Sequence, residues 1–502
     1  MRFRNSVRNS IFAFLGQIIN IFCGFVLRTV FIHYLGKDYL GVNGVMESIL
    51  TLLSVTELGI GTSIAFALYK PIDEDDKPRI GALMAFYRRT YHIIGIVTLF
   101  AGLLLIPFMR FFTKDAADVA HMNIIYLLFL GNTVLSYFFS YKRTLINAYQ
   151  NYYINSINQD LFALLKYILQ IVVLIKFKSY IGFLIVNLVC VLMSNIVISR
   201  ICDKDYGFIR QYRGEKLNSE DKALMKKSVI SLMYQRVGSS LVTGTDNLMV
   251  SYVGISLMGV YSNYTLVIST INRIIYNVLR SLMGSIGNLM VQKDSVHKYN
   301  VYEELVFSAF CLHFIIAVGL SGTLERFIEI LAGSGWLLPS SVTFAVIMNF
   351  FLFGMRQPNV LVIESAGLFN RLRPKAVAEV IVNLVVSLLF LIVFDMGIYG
   401  VLFGTTVSMV SVCIWWESLA VHKYAFGKSP RTYALKYLRY AAAAAAACFL
   451  SRFLCGLISV SGIAGFIICG FISVGIAGLF IIVIFGRTAE FIRLKNRLVH
   501  KN

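Results

Sequence analysis

Charge is scarce in this sequence. Only 14% of the 502 residues are Asp, Glu, Lys or Arg, while 58% are hydrophobic. That balance excludes an ordinary soluble chain, in which amphipathic segments would share a few cores. Apolar runs of about 18–25 residues, each long enough to span a bilayer, recur from end to end. Other absences narrow the field further. There is no C-x-x-C, and the eight cysteines show no Cys/His ligand spacing, which leaves them as small apolar fillers. The seven histidines are isolated, and H-E-x-x-H, the P-loop and G-x-S-x-G are all missing. No catalytic residue, metal site or cofactor is therefore assigned. The largest loop on the outer side, near 323–339, is too short to house chemistry. The basic start MRFRNSVRNSIFAFLGQ leads into an apolar stretch without an A-x-A cleavage site, so it reads as a retained first span.

What is present is a string of about fourteen spans, and the expected fold is an all-α integral membrane protein. The spans fall near 9–32, 40–69, 90–112, 119–140, 153–175, 180–199, 228–254, 257–286, 302–322, 340–364, 377–394, 398–420, 440–459 and 463–486. Basic residues favour one side. The N-terminus and every second loop hold 33 Lys and Arg, against 6 in the opposite loops. The positive-inside rule then places both termini in the cytoplasm. The net charge of +20 is mostly this bias. It is spread over many short loops, so no nucleic-acid partner is expected.

The most polar segment, 200–227, follows span six and divides the first twelve spans into two sets of six. The expected organisation is a first lobe over 1–199, a cytoplasmic linker over 200–227, a second lobe over 228–420, and two extra spans with a tail over 421–502. A shift of 218 lays residues 10–42 over 228–260 with six identities in 33 positions. YLGKDYLGV (Tyr34–Val42) meets YVGISLMGV (Tyr252–Val260), sharing Y-x-G-x-x-x-x-G-V. Both copies start inside, so the repeat is parallel and its pseudo-twofold axis runs along the membrane normal. In this register Asp246 falls on Arg28, a pair of opposite charges at one depth.

Seven basic residues lie inside spans: Arg28, Lys166, Arg236, Arg273, Arg280, Arg356 and Arg452. Glu47, Glu57, Asp246 and Glu364 join them. Each costs about 2.5–3.5 kcal/mol at a span centre, so they line a wet cavity or pair with one another. Helix rise places Arg236 about 12 Å from the inner end, with Arg273 and Arg356 also in the inner half. Arg273, Asn277 and Arg280 share one helix face. Guanidinium forks hold phosphate oxygens bidentately and stay charged, so Arg236, Arg273, Arg280 and Arg356 are the candidate ligands of a phosphate or diphosphate. Competing readings stay open. Arg280 reaches the cytoplasmic interface, Arg28 and Arg452 snorkel outward, Arg236 and Arg273 form structural ion pairs, or Arg356 caps carbonyls freed by Pro358. Glu57 is either a counter-ion to the arginines or the carrier of a coupling ion, H⁺ or Na⁺. Arg28 and Asp246 are the candidate inter-lobe gate pair.

Several stretches resemble a known family: FIHYLGKDYLGVNGV, LLSVTELGIGTSIAFALYKPI, YRGEKL and TDNLMVSYVGISLMGVYSNYTLVISTI. They are similar to bacterial Wzx-type polysaccharide flippases, of the multidrug/oligosaccharidyl-lipid/polysaccharide exporter superfamily. The resemblance covers most of residues 1–420. It implies two six-helix lobes around a central cavity, plus two extra C-terminal helices, in the bacterial cytoplasmic membrane. It also implies alternating access, with an undecaprenyl-diphosphate-linked oligosaccharide carried from the inner to the outer leaflet. The implied partners are membrane lipids and the polymerase and glycosyltransferases of a surface-polysaccharide pathway. No residue role follows from the motifs themselves. Two alternatives compete: a drug or metabolite exporter of the same superfamily, which favours an acidic cavity, and a polymerase- or ligase-type membrane enzyme, which needs a large external loop.

Overall fold

The computed structural model describes residues 2–54, 60–109, 119–212, 240–291 and 294–499, with isolated positions between 213 and 239; the first fifteen side chains are outside the description. Among the described residues the chain is helical without strands. Nine helices there are long and apolar enough to cross a membrane. The spans expected near 90–112, 153–175 and 257–286 overlap helices of 28, 26 and 27 residues, the first of which starts at Lys77 and ends at Leu104, also long enough to cross at 1.5 Å per residue. The protein is a multi-pass membrane protein. Part of 200–227, all of it beyond residue 212, and the start of span seven lie outside the described residues.

Contacts divide the chain into two compact units, Met1–Gly259 and Val260–Asn502. The first unit contains α1 (Arg2–Leu53), α2 (Ile60–Asp73), α3 (Lys77–Leu104), α4 (Met122–Ala148), α5 (Tyr152–Phe177) and α6 (Tyr180–Asp205). Residues 240–253 form a further helical segment, and α7 (Ile255–Ser281) begins in this unit. Asp76 starts α3 by accepting the Arg79 N–H at 3.0 Å, with Pro78 in the first turn where its missing donor costs nothing. A tyrosine-rich core joins α2, α3, α4 and α6. Its phenols are satisfied inside the unit: Tyr87 with Thr144 at 3.0 Å, and Tyr137 donating to Ser54 at 2.9 Å.

The duplicated motif is where this unit packs most closely. Gly36 breaks α1 with φ +81°, and its counterpart Gly254 interrupts the helix between residue 253 and Ile255. Beyond these breaks the two copies meet. A Cβ on Gly41 would lie 2.0 Å from the Ile255 carbonyl oxygen, and one on Gly259 would lie 2.2 Å from that of Lys37. Lys37 and Ile255 are equivalent in the 218-residue register, as are Gly41 and Gly259. Ser256 donates to Asp38, its equivalent in the same register. Equivalent residues exchanging contacts is what a local twofold produces. The glycines are needed because only their missing Cβ lets the backbones approach this closely.

The second unit holds the rest of α7, then α8 (Met283–Val291), α9 (Ser295–Ala332), α10 (Ser340–Ser365), α11 (Arg373–Leu388), α12 (Ile398–Ser408), α13 (Ile414–Ala420), α14 (Arg431–Gly456), α15 (Gly462–Phe480) and α16 (Ala489–Val499). Asp294 caps α9 by accepting the N–H groups of Val296 and His297 at 2.9 and 3.0 Å. The core is aromatic: Phe310 stacks on Tyr440 with centroids 4.1 Å apart, and Phe485 closes against both. Arg452, read as a snorkelling candidate, instead pairs with Glu325.

The C-terminal segment, expected as a tail, contains the amphipathic helix α16, held by ion pairs. Lys436 bridges Glu303 and Glu490 at 2.6 and 2.5 Å, while Arg493 and Arg497 reach Glu303 and Glu304, each at 3.1 Å. Burial pushes the Glu490 carboxyl up, but the hydrogen bond from Lys436 and the ammonium charge outweigh it and hold it below the usual carboxylate range. Its stabilisation of the docked helix is thus complete above the ordinary value of 4.5 and fades as pH falls through the lowered one. Hydrogen exchange of α16, corrected for intrinsic rates, is expected to accelerate on acidification below that value. In Glu490→Gln this acid-dependent increment shrinks. Equal acceleration in both proteins contradicts the latch.

Candidate functional site

The buried charges fall into three settings. The first is a quartet in the second unit. Arg356 on α10 donates through Nε and Nη2 to both oxygens of Glu417 on α13, at 3.1 and 2.6 Å. Its Nη1 lies 3.5 Å from Glu379 on α11, and Lys375 sits 2.7 Å from Glu379 and 3.0 Å from Glu417. All four side chains are buried, Glu417 at 1% exposure. Two cations and two carboxylates leave the cluster neutral. This corrects the reading of Arg356 as a diphosphate ligand, since its fork is already filled by a carboxylate of matching geometry. The carbonyl-capping reading fails too. Around Pro358 it is the Tyr433 and Tyr437 phenols of α14 that reach the Met355 and Leu352 carbonyls, at 3.5 and 3.4 Å.

The second setting is α7. Arg273 and Arg280 are exposed, and neither has a carboxylate partner among the described residues. Arg280 donates to the Tyr276 hydroxyl at 3.1 Å and lies over that ring, 5.6 Å from its centroid. Both arginines and Asn277 share one face of the helix, so α7 presents uncompensated positive charge. Arg236 and Glu57 lie outside the described residues.

The third setting is in the first unit. Arg28 and Lys166 both act electrostatically on Glu47, whose Oε1 accepts from Asn43 at 2.8 Å. Tyr180 in turn donates to Asn43 at 3.3 Å. Arg28 and Asp246 are both half-buried. Residues outside the sequence-based set add to this unit's charge. Lys142 meets Ser199 and Asp203 at 2.5 and 2.7 Å, and Arg210 meets Asp203 at 2.6 Å. Arg143 donates to Asn155, Ser194 and Asn195. Hydropathy ends span four near 140 and so places Lys142 and Arg143 in the following loop. Helix α4 continues to Ala148 and carries both inward. The i+4 seryl pattern Ser136, Ser140, Thr144 along this stretch was the available signal of a continuing polar helix face.

No group of His, Cys, Asp and Glu among the described residues is arranged to hold a metal ion, and all eight cysteines are unbridged.

Neither a protein-family model nor a curated protein matches this sequence. Solved structures do. The lipid II flippase MurJ in an inward closed conformation aligns with a TM-score of 0.64 at 14% identity, over 96% of this chain and 99% of that one. An inward-facing multidrug resistance MATE family transporter of the MOP superfamily aligns at 0.60 with 12% identity, over 84% and 99%. A Pyrococcus furiosus MOP superfamily transporter, described as having a binding pocket of reverse polarity, aligns at 0.56 with 12% identity, over 83% and 96%. The chain therefore shares the all-helical fold of these structures. At these identities the likeness defines the fold alone.

Proposed function

We propose that this protein is a flippase for an anionic, prenyl-diphosphate-linked oligosaccharide in a bacterial cytoplasmic membrane, with both termini in the cytoplasm. The observation that carries this reading is the unneutralised arginine face of α7, Arg273 and Arg280, in a chain whose fold matches a lipid flippase from end to end. A cationic drug exporter is poorly served by such a face. Arg236, Arg273 and Arg280 receive the diphosphate from the inner side. Arg356 is left out of this set and assigned to the neutral quartet. Glu57 balances the arginines or carries a coupling ion. Arg28 and Asp246 form the breakable pair that closes the outer side, giving one of the two states a contact that the other lacks. The undecaprenyl carrier, the polysaccharide pathway and its polymerase and glycosyltransferase partners follow from the Wzx-type motifs. Nothing in the reading requires an enzymatic step.

The test is the lipid extract of a deletion strain. An undecaprenyl-diphosphate-linked oligosaccharide is expected to accumulate by mass spectrometry and to clear on complementation. Arg273→Gln with Arg280→Gln, expressed at wild-type levels, is expected to leave the accumulation in place. Full clearance by that double variant removes the arginines from the site. No accumulation in the deletion strain removes the cargo.

A further inference from the structure

A cavity of about 360 Å³ opens in the first unit among α4, α5 and α6. Three short helical faces build it: Ser136, Ser140 and Arg143 on α4, Gln159, Ala163 and Lys166 on α5, and Cys190, Ser194 and Asn195 on α6. The α4 and α5 sets recur at four- and three-residue spacing, and on α6 the adjacent pair Ser194 and Asn195 follows Cys190 and Val191 four residues on, so each set projects from one side of its helix. The lining includes two cations and no carboxylate.

Arg143 is clamped without being neutralised. Its Nη1 donates to Asn155 at 2.6 Å, Nη2 to Ser194 at 2.8 Å, and Nε and Nη2 share the Asn195 carbonyl oxygen at 3.1 and 3.0 Å. All these acceptors are uncharged. Asn158 holds Ser194 in place from the other side, at 2.9 Å. Lys166 has the Tyr167 ring 5.0 Å away and feels Glu47 electrostatically, but no carboxylate comes within ion-pair distance among the described residues. Asn195, only 4% exposed, completes the clamp through its carbonyl oxygen.

We propose that this cavity is an oxyanion site of phosphate class, with Arg143 and Lys166 supplying the charge. A phosphate or diphosphate oxygen matches both. It is negative, accepts several hydrogen bonds, and suits a guanidinium whose geometry is already fixed. The site is separate from the arginine face of α7 and does not rest on the cargo reading. The oxygens come either from a diphosphate-bearing solute or from the headgroup of an anionic lipid.

Lysine amidination of the full-length protein, read by peptide mass spectrometry, separates these. In neutral detergent, inorganic diphosphate is expected to slow labelling of Lys166 several-fold in a saturable way, while exposed Lys70 is unaffected. In nanodiscs without diphosphate, slower Lys166 labelling in phosphatidylglycerol than in phosphatidylcholine assigns the oxygens to a lipid headgroup. Slowing by diphosphate alone assigns them to a solute. Arg143→Gln is expected to abolish the protection; its unprotected Lys70 and Lys166 rates, if equal to wild type, show that the fold is intact. Unchanged Lys166 labelling in both diphosphate and phosphatidylglycerol overturns the site, as does full protection in Arg143→Gln. Either result leaves lipid accumulation in the deletion strain unaffected, so the two proposals fail separately.

Discussion

Glu417→Ala is expected to remove most of the folded protein. The substitution leaves Arg356 and Lys375 sharing the single carboxylate of Glu379 in a site where all the side chains are buried. Breaking a buried ion pair from one side costs about 3–5 kcal/mol, because the remaining charge is stranded rather than because the pair itself is strong. Against a total stability of about 5–15 kcal/mol that loss is large. The same reasoning predicts a rescue. Arg356→Met combined with Glu417→Leu keeps the site neutral through Lys375 and Glu379, which are 2.7 Å apart. It is expected to recover most of the monodisperse protein seen by size exclusion, and most of the thermal midpoint. If the double variant is no better than Glu417→Ala, the quartet is not held by charge balance.

The second large effect is expected at the crossing of the duplicated motif. Gly41→Ala puts a Cβ 2.0 Å from the Ile255 carbonyl oxygen, and Gly259→Ala puts one 2.2 Å from the Lys37 carbonyl oxygen. Both obstacles are backbone atoms, so no side-chain rotation relieves them. Overpacking costs about 1–3 kcal/mol and occasionally more, and here it also forces two helix ends apart. The two substitutions strain one contact from opposite sides, so their effects are expected to be less than additive. Gly44 is the control, because its nearest obstacle is the flexible end of Met258 at 2.6 Å. Gly44→Ala is expected to be milder than either. Thermal midpoints of the wild type, the three single variants and the Gly41→Ala/Gly259→Ala double variant decide this. Additive losses, or a Gly44 variant as damaging as Gly41→Ala, contradict the reciprocal packing.

The repeat behind that crossing was legible in the sequence, although the contact between its copies was not. Six identities in 33 positions aligned the copies, and the structure brings Asp38 onto Ser256 and Gly41 beside Ile255 in the same register. The all-helical membrane fold was legible too, because apolar runs of bilayer length have few other uses. The quartet was not. Arg356 and Glu417 are 61 residues apart, and Glu379 and Glu417 lie near span ends, where a carboxylate looks interfacial. Depth along the span therefore marks Arg356 as a ligand, and no spacing in the sequence links it to Lys375, Glu379 and Glu417. Arg143 was hidden for the opposite reason. It sits past the apolar core of its helix, so hydropathy ended the span before the residue that the cavity uses. Arg273 and Arg280, placed on one helix face by their spacing, are exposed on α7, with no carboxylate partner among the described residues. Their use by a diphosphate remains the proposal on which the function depends.

Leaflet exchange in liposomes tests that proposal most directly. The protein is reconstituted with a fluorescent undecaprenyl-diphosphate-linked oligosaccharide, and the probe is quenched from outside. The account predicts exchange well above protein-free liposomes, greatly reduced by Arg273→Gln with Arg280→Gln in protein of unchanged thermal midpoint. Exchange no faster than in protein-free liposomes, or exchange indifferent to both arginines, would contradict it.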